Sequence, residues 1–523
     1  MDEERPGLYL LNQGRKGLVR IIFSRLGMIS LLLLLQVALL IFILMRFGQY
    51  IPHLVAVSVI FTVAMVLYLI NSKIDPTGKI TWLIIIMLFP LPGAFLLLYT
   101  QTDLGHRALK KRLLQLYSDT RDSIPQAEET MLQLDKEFPA AASLTRYICR
   151  TGCYPVYDCT QTTYFPSGES KFKAMLRELE GAKHFIFLEY FIISEGHMWS
   201  RILEILARKA KSGVEVRVIY DGTCEFSTLP HDYPKRLEFL GIKCKIFSPL
   251  TPFISTHYNY RDHRKILVID GHTAFTGGVN LADEYINRKS RFGHWKDAAL
   301  MLKGEAVKSF TLMFLQMWSI TDNNPEFGRY LSMPSRPPER TCGYVIPFGD
   351  CPLDDDKVGK NVYMDILNRA HRYVHIMTPY LILDGEMENA LKFAAERGVD
   401  VALILPGIPD KAMPYALAWT HYASLLASGV RIYEYTPGFV HTKVFVSDDS
   451  TTVVGTINLD YRSLYHHFEC AAYMAGTSCI SDIERDFQQT VKKCRQITPE
   501  NLRDAKWTRK AVGFVMKAVA PLM

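Results

Sequence analysis

Two short segments carry the same chemically capable side chains at the same spacing. The first holds His263, Lys265 and Asp270, followed by Gly277 and Asn280; the second holds His441, Lys443 and Asp448, followed by Gly455 and Asn458. Both spell H-x-K-x4-D-x6-G-[GT]-x-N. Two imidazoles and two ammonium groups in one cleft would suit a phosphodiester. One histidine would attack phosphorus and hold it as a phosphohistidine. The other would protonate the leaving alkoxide, then deprotonate the incoming alcohol or water. The lysines would stabilise charge on the non-bridging oxygens. Asp270 and Asp448 are expected to orient the imidazoles and fix their tautomers. The motif residues form no carboxylate cluster for a divalent ion, so a metal-free mechanism is expected.

Such a site needs elements to present it. On a strand, residues i and i+2 share a face, so His263 and Lys265 point the same way, as do His441 and Lys443. The apolar run Ile266 to Ile269 reads as a strand buried on both sides, and Gly277 and Gly455 allow close backbone approach. Each motif is preceded by a helix ending at glycine (Gly213, Gly398), a β-branched strand, a second helix and a second strand. That alternation predicts an α/β layer with a largely parallel sheet. The repeat is about 170–180 residues, the size of a domain rather than of a solenoid unit. The expected fold is α/β, with two tandem domains sharing a cleft behind N-terminal transmembrane helices. The expected bounds are a membrane anchor over 1–105, a linker over 106–145, α/β domains over 146–330 and 331–505, and a basic amphipathic segment over 506–523.

The paired motifs resemble the HKD signature of the phospholipase D superfamily, and within it the chain resembles bacterial cardiolipin synthases almost throughout. Matching stretches include Leu188-Glu189-Tyr190-Phe191-Ile192, Arg261-Asp262-His263-Arg264-Lys265, Thr378-Pro379-Tyr380, Pro437-Gly438-Phe439-Val440-His441-Thr442-Lys443 and Asn458-Leu459-Asp460-Tyr461-Arg462-Ser463. The family's usual Gly-Ser-x-Asn is Gly277-Gly278-Val279-Asn280 in the first half, without the hydroxyl; Thr456 keeps one in the second. The resemblance implies His263 as nucleophile, His441 as general acid and base, and Asn280 and Asn458 as substrate-binding residues. It implies that two phosphatidylglycerol molecules are joined into cardiolipin with release of glycerol, without cofactor. Asp297 and Glu469 occupy similar places in the repeat and are candidates to support the histidines or simply to end strands. Glu189 to Phe191 and Thr378 to Tyr380 are candidates for the cleft mouth.

Three apolar runs, over 26–45, 54–70 and 80–99, approach the roughly 20 residues that cross hydrocarbon as a helix. No small-residue cleavage site follows the first, which argues against a removed signal peptide. Arg5, Arg15, Lys16, Arg20 and Arg25 before the first run favour a cytoplasmic N-terminus, and Arg107, Lys110, Lys111 and Arg112 after the third favour the same side for the catalytic part. Pro90, Pro92 and Gly93 would break the third run, and a hairpin there reconciles the two. The expected location is the bacterial cell membrane, multi-pass, with the catalytic part facing the cytoplasm. Lys506, Arg509, Lys510 and Lys517 alternate with Trp507, Phe514 and Val515, as in a helix lying on anionic lipid or packed on the catalytic domain.

A net charge of +7 suits an anionic membrane surface. No basic-aromatic array points to nucleic acid. Cys149, Cys153 and Cys159 lack metal-ligand spacing and read as free thiols. The alternatives are a phospholipase D-type phosphodiesterase or nuclease using water as acceptor, and a membrane scaffold with a decayed site. The complete motif sets argue against decay.

Overall fold

The computed structural model describes residues 51–72, 74–102, 107–152, 154–249, 260–322, 325–334 and 341–522. The first apolar run with its preceding cations, and Cys153, lie outside the described residues. The described residues form two compact units, one chiefly of those up to 107, the other chiefly of those in 108–249 and 260–520.

In the N-terminal unit the second apolar run forms the helix Ile51–Asn71. The third is split into Pro76–Leu88 and Pro90–Thr102. Pro90 has no N–H to continue the first of these but fits the opening position of the next. Asp75 caps the middle helix, accepting the Thr77 and Gly78 N–H groups at 3.0 and 3.3 Å. Leu69, Trp82, Ile86 and Leu97 pack into a small core. Among the described residues no helix is long and apolar enough to cross a membrane.

The catalytic unit begins with helices where a linker was expected: Arg107–Asp119, Glu128–Glu137 and Pro139–Gly152. Leu113, Leu134, Leu144 and Ile148 tie them into the main core. The strands of the first half are β1 (Thr160–Phe165), β2 (Phe185–Tyr190), β3 (Glu215–Asp221), β4 (Lys243–Phe247), β5 (Arg261–Asp262), β6 (Lys265–Ile269), β7 (Thr273–Gly277), β8 (His294–Lys296) and β9 (Ala299–Gly304). Those of the second are β10 (Tyr344–Asp350), β11 (Tyr373–Met377), β12 (Asp400–Pro406), β13 (Arg431–Tyr435), β14 (Gly438–Val440), β15 (Val444–Ser447), β16 (Thr451–Gly455), β17 (His467–Ala475) and β18 (Cys494–Gln496). The sheet orders are β1-β9-β7-β6-β2-β3-β4 and β10-β17-β16-β15-β11-β12-β13-β18. Strand for strand the second repeats the first, then adds β18.

The sheets are mixed, not largely parallel. Along the two strand orders only β2-β3-β4 and β11-β12-β13 pair in parallel, and the motif strands β6 and β15 run antiparallel to both neighbours. The cause is a tight hairpin directly after each motif strand. Asp270 and Gly271 have φ of 51° and 66°, and Asp448 and Asp449 of 54° and 55°. Left-handed residues at a short turn match the twist of a β-hairpin, and Asp-Gly is a strong signal for one. The helix Val307–Trp318 is buried along its length and packs on β2 and β6 of one sheet and β10 of the other, so both halves share one core.

Candidate active site

Each motif histidine is delivered by a short strand that pairs with the opposite half. β5 lies parallel to the start of β17, with Arg261 opposite His467 and Asp262 opposite Phe468. The pairing continues as the His263 N–H donates to the Phe468 carbonyl at 3.0 Å. Glu469 follows, and its carboxylate meets His263 Nδ1 at 2.9 and 3.0 Å. β14 lies parallel to β8 in the same manner, with Phe439 opposite Trp295 and Val440 opposite Lys296. The His441 N–H donates to the Lys296 carbonyl at 2.7 Å. Asp297 follows, and its Oδ2 meets His441 Nδ1 at 2.8 Å. Each imidazole is therefore oriented by a buried carboxylate from the other half. With the proton held on Nδ1, Nε2 carries the free lone pair.

Lys265 and Lys443 are buried beside their histidines. Lys265 Nζ donates to the His263 carbonyl at 2.5 Å, and Lys443 Nζ to the His441 carbonyl. Burial pushes Lys265 down to about 8 and Lys443 to about 7, the latter also repelled by Lys265. Burial likewise pushes His263 well below the usual imidazole range, against the pull of Glu469. His441 falls to about 4, from burial and then Lys443, against Asp297. The site is a concentration of buried cationic groups that disfavour one another's charge. An anion placed among them would raise every one of these values.

Asp270 and Asp448 do not orient the imidazoles. The Asp270 carboxylate accepts the backbone N–H groups of Lys183, His184 and Phe185 at 2.7–2.9 Å. Asp448 does the same for His371, Arg372 and Tyr373 at 2.8–2.9 Å. Both sit at the hairpin turn and fasten it to the start of the neighbouring strand, β2 or β11. The orienting task falls to Glu469 and Asp297.

The asparagines differ from one another. The Asn280 amide accepts the Ile192 N–H at 3.1 Å and donates to the Tyr285 hydroxyl at 2.8 Å. Asn458 donates to Asp460 at 3.2 Å, and its buried carbonyl oxygen has no partner. Phe191 sets its edge against the His263 ring at 5.0 Å, whereas Tyr190 is core and Glu189 pairs with Arg264 at 2.5 Å. Tyr380 donates to Asp410 and packs on Phe439, which in turn packs on His441.

Sequence reasoning missed four neighbours of the motif residues. Lys171 is a third buried ammonium, donating to the Val279 carbonyl at 3.1 Å and pushed down to about 7 by burial. Tyr285 and Trp295 pack on His441 with ring centroids at 5.4 and 5.3 Å. His467 packs on His263 at 5.3 Å. The one available signal was the apolar-faced helix Gly168–Glu180, on which a lysine in the buried stripe is out of place.

The chain is similar to known proteins over most of its length. The family model described as "Cardiolipin synthase, PLD-like domain" matches residues 175–318 and 363–491. An uncharacterized protein of Streptococcus mutans is 56% identical over 88% of this chain and 100% of its own length. A cardiolipin synthase of Geobacillus kaustophilus is 34% identical over 90% of this chain and 93% of its own. A phosphatidylserine synthase structure from Haemophilus influenzae, 14% identical, superposes with a TM-score of 0.53 over 69% of this chain and 93% of that one, which speaks for the fold alone.

Proposed function

Because the chain belongs to the phospholipase D-like cardiolipin synthase family, we propose that it is a phosphatidyltransferase joining two phosphatidylglycerol molecules into cardiolipin and glycerol. The observation that carries this reading is the pair of imidazoles, each oriented through Nδ1 by a carboxylate of the other half, among buried lysines. His263 Nε2 attacks the phosphorus of the first lipid. The P–N bond forms as the P–O bond to the head-group glycerol breaks, and His441 gives that glycerol its proton. The glycerol hydroxyl of the second lipid then loses its proton to His441 and attacks phosphorus. The P–N bond breaks, a new P–O bond forms, and both histidines return to their starting state. One phosphodiester bond replaces another, so the exchange needs no nucleotide.

Docking a lipid phosphate relieves the mutual repulsion of the site. It favours the charged forms of Lys265, Lys443 and His441 at the moment they are needed. The unpartnered carbonyl oxygen of Asn458 is a ready acceptor for a head-group hydroxyl.

The reading includes a multi-pass anchor in the bacterial cell membrane with the active site on the cytoplasmic side. It rests on the apolar runs and on the cations flanking them. The C-terminal helix Trp507–Val519 adds a second contact. It packs on the helix Ala412–Ala427 through Gly513 and through Arg509, which stacks over Tyr415 and Trp419. Its other face leaves Trp507 77% and Phe514 81% exposed beside lysines, a face suited to anionic lipid.

Purified protein incubated with phosphatidylglycerol should yield cardiolipin and glycerol in equal amounts. Phosphatidic acid as the main product would make it a hydrolase with water as acceptor. No lipid product at all would remove the enzymatic reading.

A further inference from the structure

His467 opens β17 and has no part in the reaction described above. It is 8% exposed, and neither ring nitrogen has a hydrogen-bond partner. Its Nδ1 lies 3.7 Å from Glu469 Oε1, and its ring packs on that of His263. His263, His467 and Glu469 present one ligand atom each within 4.8 Å of one another. A buried imidazole with both nitrogens bare, beside a second imidazole and a carboxylate, is an arrangement that a metal ion completes.

We propose that His263, His467 and Glu469 form an inhibitory site for a divalent transition metal, zinc above all. Two imidazoles and one carboxylate with a fourth position open is a zinc donor set. Calcium and magnesium prefer oxygen-rich sets and are poor candidates. Zinc bonds of about 2.0–2.2 Å put ligand atoms roughly 3.4 Å apart in a tetrahedron. The separations from Glu469 Oε1, 2.9 Å to His263 Nδ1 and 3.7 Å to His467 Nδ1, bracket that value.

The inhibitory consequence rests on His263 as the nucleophile; the binding does not. Bound through Nε2, the ion takes the lone pair that attacks phosphorus. Bound through Nδ1, it displaces the proton there, and the neutral ring then carries its proton on Nε2. In both cases the nucleophile is lost and Glu469 is diverted from its orienting task. The Lys265 ammonium opposes the ion, which favours release to a chelator.

The test uses the full chain in detergent micelles. Zinc is titrated against a chromophoric indicator, and phosphatidylglycerol turnover is followed in parallel. The wild type should bind a zinc ion with two imidazole ligands by X-ray absorption and lose turnover over the same concentration range, with recovery on chelation. His467→Asn should weaken both binding and inhibition by at least about tenfold, each rate being referred to that variant's own zinc-free rate. His467→Gln serves as the second variant if the first fails to fold. Equal zinc binding and equal inhibition in wild type and variant would overturn the site. If the protein made no cardiolipin, the titration alone would still decide whether zinc binds here, so the two failures are distinguishable.

Discussion

His263 leans on a glutamate braced by a threonine; His441 leans on an aspartate for which a glycine makes room. Thr456 donates to the Glu469 carboxylate. At the matching position of the first half, a Cβ on Gly278 would lie 2.0 Å from Asp297 Oδ1. The shorter aspartate brings its carboxylate close to the backbone of residue 278 and fills the space a hydroxyl-bearing side chain would need. Carboxylate length and the second residue of the G-[GT]-x-N turn are thus linked. The two halves keep one topology and reach one result, a fixed imidazole, with different pairs of side chains. The missing hydroxyl at Gly278 is matched by the switch from glutamate to aspartate. The surroundings differ too: Tyr285, Trp295 and Phe439 pack on His441, while Phe191 and His467 pack on His263.

The largest effect should come from the imidazoles themselves. His263→Ala and His441→Ala should each lower kcat by about 10³-fold or more, since each step needs both groups. Circular dichroism should show the fold unchanged, and near wild-type turnover in either variant would refute the two-histidine mechanism.

The carboxylates come next. Glu469→Gln and Asp297→Asn should each cost about 10²–10⁴-fold in kcat by favouring the wrong tautomer, with KM little changed. Glu469→Asp should recover part of the loss. The asymmetry is testable within this set. Gly278→Ala should displace Asp297 and cost about 10²-fold. Thr456→Ala removes one bond to a charged group and should cost about tenfold. Equal, small effects at 278 and 456 would show that the two supports are not built differently.

The lysines set a pH limit. With Lys443 near 7 and Lys265 near 8, both are charged below those values and lose a proton above them. The profile of kcat/KM, which reports the free enzyme, should decline above about 4 as His441 loses its proton and steepen as pH rises through the lysine range. The fall in kcat should lie at higher pH, because bound phosphate stabilises both ammonium groups. A kcat/KM profile flat to pH 10 would contradict the assignment.

The smallest effect on chemistry should come from the motif aspartates. Asp270→Ala removes a carboxylate that ties down backbone N–H groups, and it leaves alanine at a positive φ. Stability should drop by about 3 kcal/mol in denaturant melts, with kcat per folded molecule unchanged.

That aspartate marks where the sequence could be read and where it could not. The duplicated H-x-K spacing revealed the histidines and lysines because i, i+2 geometry on a strand is local. The Pro90 break was legible for the same reason. Asp270-Gly271 is also a local hairpin signal, and it accounts for both the antiparallel turn after β6 and the structural role of Asp270. Glu469 and Asp297 were visible as acids entering apolar strands, but their partners were not. His263 and Glu469 are separated by 206 residues, and His441 and Asp297 by 144. The pairings of β5 with β17 and of β14 with β8 that join them involve two or three residues each, too few for a hydrophobic pattern. Lys171 and His467 reach the motif residues through position in space, which no spacing records.

The central claim is a covalent step at one histidine in a site assembled from both halves. Labelled phosphatidylglycerol, reacted briefly and quenched in alkali to preserve a phosphorus–nitrogen bond, tests it most directly. Peptide mapping should place the label on His263 in the wild type and find none in His263→Ala. Label on His441 in the wild type would reverse the two roles, and efficient trapping with no protein-bound label would replace the phosphohistidine with direct transfer between lipids.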